Sequence, residues 1–194
     1  MTFNLPPSVG FCELEDQNPS DKRVLATLTD VLAKSGNRLL SMSADCQQLA
    51  DWRTTKRPLL DDYVNYQTPI GPIFETIQQT CNTLRAEGDK IPSNQNSDIT
   101  ARLKGAVPKI GLTSSSFIGV LVADPTACYA GLLQKLRTEA GTDRTEVVIF
   151  AATIVKNRLV FVYGITPYVD SDSVGRVLAM LKGHVPKLLA ANQH

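Results

Sequence analysis

Histidine is scarce in this chain and clustered metal ligands are missing. The two histidines are His184 and His194, and the four cysteines, Cys12, Cys46, Cys81 and Cys128, stand far apart with no C-x-x-C pair. That spacing argues against a structural zinc site and a thioredoxin-type dithiol. No G-x-x-x-x-G-K-[ST] and no G-x-G-x-x-G occurs, so nucleotide binding by those routes is set aside. A G-x-S-x-G elbow, an H-E-x-x-H helix and an S-x-x-K pair are missing as well, which removes the commonest hydrolase signatures. No metal and no cofactor is expected.

One-sided charge is lacking too. Twenty Lys and Arg stand against nineteen Asp and Glu for a net charge of +1, with no long run of either sign. A nucleic-acid binder needs a basic stripe to release counterions, so nucleic acid is not an expected partner. Arg53, Lys56 and Arg57 come nearest, and a solvated turn after a helix accounts for them. No apolar stretch reaches the roughly 20 residues that span a bilayer, and Met1 to Pro7 lacks the basic and apolar regions of a signal peptide. The expectation is a soluble chain. Leu5-Pro6-Pro7 also reads as an extended lead into the first strand of a mature exported domain, and the sequence leaves both origins open.

What is present suits a folded domain. At 194 residues with 43% hydrophobic and 20% charged residues, the chain can bury enough apolar surface to offset its conformational entropy. Ser20-Asp21 precedes Val24, Leu25, Leu28, Val31 and Leu32, the stripe of an amphipathic helix that stops at Gly36. Arg38 to Ala44 reads as a strand. Asp45 then caps a short helix with Leu49 and Trp52, closed by Pro58. Leu60 to Thr68 reads as a partly exposed strand or ordered loop. Gly71-Pro72 opens a helix whose face is Ile73, Phe74, Ile77, Cys81 and Leu84, ended by Gly88. Residues 88–98 are almost without apolar side chains and are expected to form a mobile loop, the one place for a domain boundary; a helical turn over 99–104 follows.

Phe117 to Val122 suits a central strand. Asp124-Pro125 reads as a helix start, with Cys128, Leu132 and Leu136 on the buried face before Gly141. Glu146–Val155 and Arg158–Ile165, joined at Lys156-Asn157, give the clearest strand signal, a hairpin. Asp172-Ser173 starts a last helix with Val174, Val177, Leu178 and Leu181 inward, which Gly183 and Pro186 should kink or interrupt. The expected fold is one α+β domain over 1–194: a mainly antiparallel sheet packed against amphipathic helices, with a C-terminal β-hairpin followed by a helix.

The even cysteine count permits two disulfides in an oxidising compartment or four buried thiols in a reducing one. Cys12 and Cys46, near strand ends, form the first candidate pair. Cys81 and Cys128, on apolar faces, are a second pair left open. His184 is the one realistic imidazole base, since terminal residues such as His194 are normally mobile; a protonated His near a helix end is also good capping chemistry.

The densest cluster of interaction chemistry is Trp52-Arg53 with Asp61-Asp62-Tyr63 and Tyr66. Rings beside charges are what binding sites use, although Trp52 as a core anchor with a solvated Asp pair is the stronger reading, and adjacent strand residues point to opposite faces. Lys156, Asn157 and Arg158, and the hydroxyls of Thr113 to Ser116, fit ordinary turn and loop chemistry.

Phe11-Cys12, Asp45-Cys46 with Leu49 and Trp52, and Asp61-Asp62-Tyr63 with Tyr66 together resemble uncharacterised bacterial exported proteins. The hairpin and final helix are similar to the PsbP-like α+β sandwich over about the last 80 residues. The first resemblance implies a signal peptide ahead of a periplasmic or secreted domain and a Cys12–Cys46 disulfide. The second implies a binding or assembly accessory rather than an enzyme.

The leading expectation is therefore a non-catalytic binding domain of the bacterial cell envelope, with a protein or small-molecule partner. It would present Trp52 to Tyr66 or the 88–98 loop. A small hydrolase or transferase built on His184 or Asp61/Asp62 is the alternative. A secretion chaperone or effector-like interaction protein, with a large apolar dimer surface, is the third.

Overall fold

A computed structural model describes residues 2–71, 76–88, 110–138 and 141–193. In chain order they form β1 (Phe11–Glu13), α1 (Pro19–Lys34), β2 (Asn37–Asp45), α2 (Cys46–Arg53), β3 (Tyr63–Pro69), α3 (Ile77–Glu87), β4 (Ile110–Ala123), β5 (Ala127–Thr138), β6 (Asp143–Val155), β7 (Arg158–Pro167) and α4 (Asp172–Ala190). Of the segments read from sequence, 72–75, 89–98 and 99–104 lie outside the described residues.

The β6–β7 hairpin pairs as expected, from Val155 opposite Arg158 to Glu146 opposite Pro167. Lys156 and Asn157 both take positive φ, 48° and 60°, the type I′ turn whose twist matches the flanking strands. Around this ribbon grows one seven-stranded antiparallel sheet in the order β1-β2-β3-β7-β6-β5-β4. The α+β class is therefore observed.

Alternation along β6 fixes the layers. Val147, Ile149 and Ala151 meet Val177, Leu181, Val185 and Leu188 of α4 on one face. Phe150 and Ala152 meet Cys81 and Leu84 of α3 on the other. At the β1–β2 end, α1 and α2 share that second face, closing over Leu14, Met42, Ala44 and Leu49. A strand covered on both sides reads as a continuous apolar run, and so β6 does.

Several expectations are corrected. The segment from Asp124 toward Gly141 is not a helix. Asp124 Oδ1 accepts from Thr126 N (2.8 Å) and Ala127 N (2.9 Å), and Asp124 N donates to Ala127 O (3.0 Å), which closes a tight turn from β4 into β5. Cys128, Leu132 and Leu136 recur every fourth residue, a spacing that puts them on one face of a strand as well as of a helix. Phe117 to Val122 belongs to β4, which among the described residues lies at one edge of the sheet and carries three register shifts, bulges of the kind that blunt an edge. Leu60 to Thr68 holds β3, which is buried between β2 and β7.

Helix starts also move. Asn18, not Ser20-Asp21, caps α1 with Pro19 at its first turn, and Thr76, not Gly71-Pro72, starts α3 through a capping box with Gln79. Asp45 caps α2 as read. The last helix runs unbroken to Ala190 despite Pro186. Lys182, Gly183 and Pro186 all lie on its exposed side, where water can satisfy the carbonyl that proline leaves without a donor.

Two disulfides tie the layers. Cys12 of β1 joins Cys46 at the start of α2, Cα atoms 4.9 Å apart, and Cys81 of α3 joins Cys128 of β5, 5.6 Å apart. Among the described residues no helix is long and apolar enough to cross a membrane.

Candidate functional site

The residues from Trp52 to Tyr66 divide among three surroundings. Trp52 packs with Leu14, Met42, Ala44 and Leu49, where Val24, Leu25 and Leu28 of α1 also meet. Arg53 forms an ion pair with Asp21, a carboxylate fully removed from solvent. The Arg53 Nε donates to Asp21 Oδ1 (3.1 Å), and Asp21 Oδ2 also accepts from Glu15 N (2.9 Å). The Asp21 bond, outweighing the desolvation that opposes it, holds the guanidinium above its ordinary pKa. This pair staples α2 to the start of α1.

Asp61 and Asp62 point to different partners. Asp61 sits between Arg57 and Arg144, and Arg144 in turn reaches Glu146 at 2.8 Å. Asp62 accepts from Gln48 Nε2 (2.5 Å) and Thr166 Oγ1 (2.6 Å). Gln48 Oε1 receives both Asp61 N (2.9 Å) and Asp62 N (3.0 Å), so one side chain on α2 fixes the entry to β3. Gln48→Ala is therefore expected to lower stability by about 1–2 kcal/mol, because two backbone donors lose their acceptor. Urea denaturation of the pair of proteins measures it.

Tyr63 and Tyr66, three apart on β3, face opposite layers. Tyr63 packs on the α1–α2 cluster, and burial, with the Glu146 charge adding, raises its hydroxyl well above the ordinary tyrosine range. Tyr66 is in the α4 layer, where its hydroxyl donates to Pro6 O (2.7 Å) and contacts His184 Nε2. His184 itself is 4% exposed. Burial first, and Lys187 second, lower its pKa, while burial raises that of Tyr66. The one hydrogen of the Tyr66 hydroxyl goes to Pro6 O, so it is not directed at His184 for transfer to the imidazole.

Sequence reasoning did not single out a cross-strand strip on the Tyr63 face. Register places Asn65 beside Tyr163 and Tyr163 beside Phe150, then Gln67 beside Phe161 and Phe161 beside Ala152. Phe150 and Tyr163 have ring centroids 5.4 Å apart, and Phe161 lies 6.2 Å from each. Asn65 and Gln67 are buried and joined by one bond, Gln67 Nε2 to Asn65 Oδ1 (2.7 Å). The Asn65 amide and the Gln67 carbonyl are the ends that bond does not use.

Next along the face come Tyr63, Glu146, Arg144 and Asp61. Burial raises the Glu146 carboxyl to about 7; Asp61 pushes the same way and Arg144 opposes. Burial raises Tyr163 to about 12. On this face α1 and α2 pack at the β1–β2 end and α3 toward β4–β6, so the strip runs between two helical groups. The available signal was the alternation of Tyr63, Asn65 and Gln67 at period two, polar side chains facing one way along a strand whose other side is apolar.

Among the described residues no group of three His, Cys, Asp or Glu is placed to hold a metal ion. His194 lies outside the described residues.

No protein-family model matches this chain, and no curated protein does. Among solved structures, the extracellular domain of PknH from Mycobacterium tuberculosis is similar at 15% identity and a TM-score of 0.31, over 96% of this chain and 81% of that one. A likeness that distant brings no function with it.

The chemistry therefore rests on the side chains themselves. Ring faces, two primary amides and a charged group at one end can grip a ligand by stacking and directed hydrogen bonds.

Proposed function

We propose that the chain is an exported binding domain without catalysis of its own, and that the strip of Asn65, Gln67, Phe150, Phe161 and Tyr163, with Arg144 and Glu146 at its end, meets a small molecule or a segment of a partner. The observation that carries the binding reading is the strip: two amides bonded to each other among aromatic rings, beside Arg144, whose Nε is buried with no hydrogen-bond partner among the described residues. The two disulfides support export, because such bonds persist in the periplasm and outside the cell and are rare in a reducing cytosol.

Thiol counting on protein unfolded directly from cells tests the compartment. No reactive thiol before reductant and four after is the expected result; four in both states defeats export. For binding, short peptides and oligosaccharides titrated against labelled protein should move the side-chain amide signals of Asn65 and Gln67. Shifts that appear elsewhere and spare these two amides defeat the strip as the contact surface.

A further inference from the structure

A second feature lies on the opposite face. Residues 2–8 run beside α4 as a strap that pairs with no strand among the described residues. Phe3 and Leu5 pack into the α4 layer. Asn4 and Asn192 exchange two bonds, Asn4 N to Asn192 Oδ1 (2.9 Å) and Asn192 Nδ2 to Asn4 O (2.6 Å). Lys156 Nζ holds Thr2 O at 3.2 Å, and Tyr66 holds Pro6 O at 2.7 Å. Ser8 Oγ, at the end of the strap, is buried with no hydrogen-bond partner among the described residues, so the closed arrangement carries an uncompensated polar cost.

Proton counting fixes the state of the buried pair beneath it. A tyrosine hydroxyl has one hydrogen, and Tyr66 gives it to Pro6 O. Toward His184 it can then only accept, so Nε2 carries the imidazole hydrogen and Nδ1 is the atom that acid protonates. We propose that residues 2–8 are a pH-sensitive latch: protonation of His184 releases the strap and uncovers the apolar surface around Tyr66.

The bond between the rings survives protonation, because Nε2 remains a donor. What fails is solvation, since an imidazolium would sit almost out of reach of water. The groups that face it worsen matters or give little help. Lys187 on α4 is cationic and Tyr66 on β3 is neutral, while Glu13 on β1 exerts its charge on Tyr66. The strap is the easiest cover to remove, being held by a few side-chain bonds and the packing of Phe3 and Leu5, where β3 lies inside the sheet ladder and α4 is packed along its length through Val177, Leu181, Val185 and Leu188.

The test is backbone relaxation of residues 2–8 in the intact chain, followed with the His184 ring signals from pH 7.5 to pH 5.0. The strap is expected to be as rigid as the sheet at pH 7.5 and to loosen at lower pH with the midpoint of the His184 titration. In His184→Gln, whose amide keeps a donor near the Nε2 position without titrating, it should stay rigid throughout. Asn192→Ala should loosen it at both ends of the range. A strap that stays rigid at pH 5.0 in the unaltered protein, or whose loosening has a midpoint away from that of His184, overturns the proposal. Equal loosening in His184→Gln does so too.

Discussion

Replacing Cys81 and Cys128 together by alanine is expected to lower the unfolding free energy by about 4 kcal/mol, the chain-entropy value for a loop of this length. The bond closes a sequence separation of 47 residues. Both cysteines are buried within the α3 layer, so their loss also removes packing against Leu84, Ala130 and Phe150. The Cys12–Cys46 bond closes a separation of 34, and the logarithm makes its entropic share nearly equal.

Exposure separates the two. Cys12 is exposed, whereas Cys81 and Cys128 are shut in. Mild reductant on native protein should therefore release two thiols quickly, from Cys12 and Cys46, and the other two only when the whole domain unfolds. Mass spectrometry after alkylation reads the order, and denaturant titration reads the stability. An alanine pair at 81 and 128 that unfolds within about 1 kcal/mol of the unaltered protein would show that α3 is held by packing alone.

The places where sequence and structure part company share a physical cause. The β6–β7 hairpin and the α1 stripe were legible because each shows a period that only one element satisfies. Cys128, Leu132 and Leu136 satisfy two periods at once, and Asp124-Pro125 is as good a turn as a helix start, so local chemistry could not decide for β5. The neighbour decides, since β6 offers an open ladder from Asp143 to Thr153.

The candidate site was harder to read. Trp52 and Arg53 stood out as ring beside charge, yet their partners, Asp21 and the α1 stripe, lie some 30 residues away in sequence. Asn65 and Gln67 look like filler between tyrosines until β7 brings Tyr163 and Phe161 beside them. Sequence shows which residue types are present, and long-range register shows which of them converge.

Glu146→Gln is expected to make the protein more stable above neutral pH, by about 3 kcal/mol at most, and to change little near pH 4.5. The raised carboxyl, from 4.5 to about 7, means that the folded state binds the proton more tightly than the unfolded chain. Stability from this group is complete below the unfolded value and is lost as pH rises through about 7, where burial of the charge is paid in full. About 2.5 units at 1.36 kcal/mol each sets the ceiling, and losing the Arg144 contact takes part of it back. His184 has the opposite sign. Its pKa is lowered from 6.5, so the unfolded chain binds the proton more tightly, and stability present above 6.5 falls as pH drops through the folded value. In the unaltered protein the two slopes oppose each other below neutral pH and flatten the profile. Glu146→Gln should uncover a stability that rises with pH, and His184→Gln one that falls. Thermal denaturation from pH 4.5 to 8.5 separates them; parallel profiles for the two variants would refute the assignment of both groups.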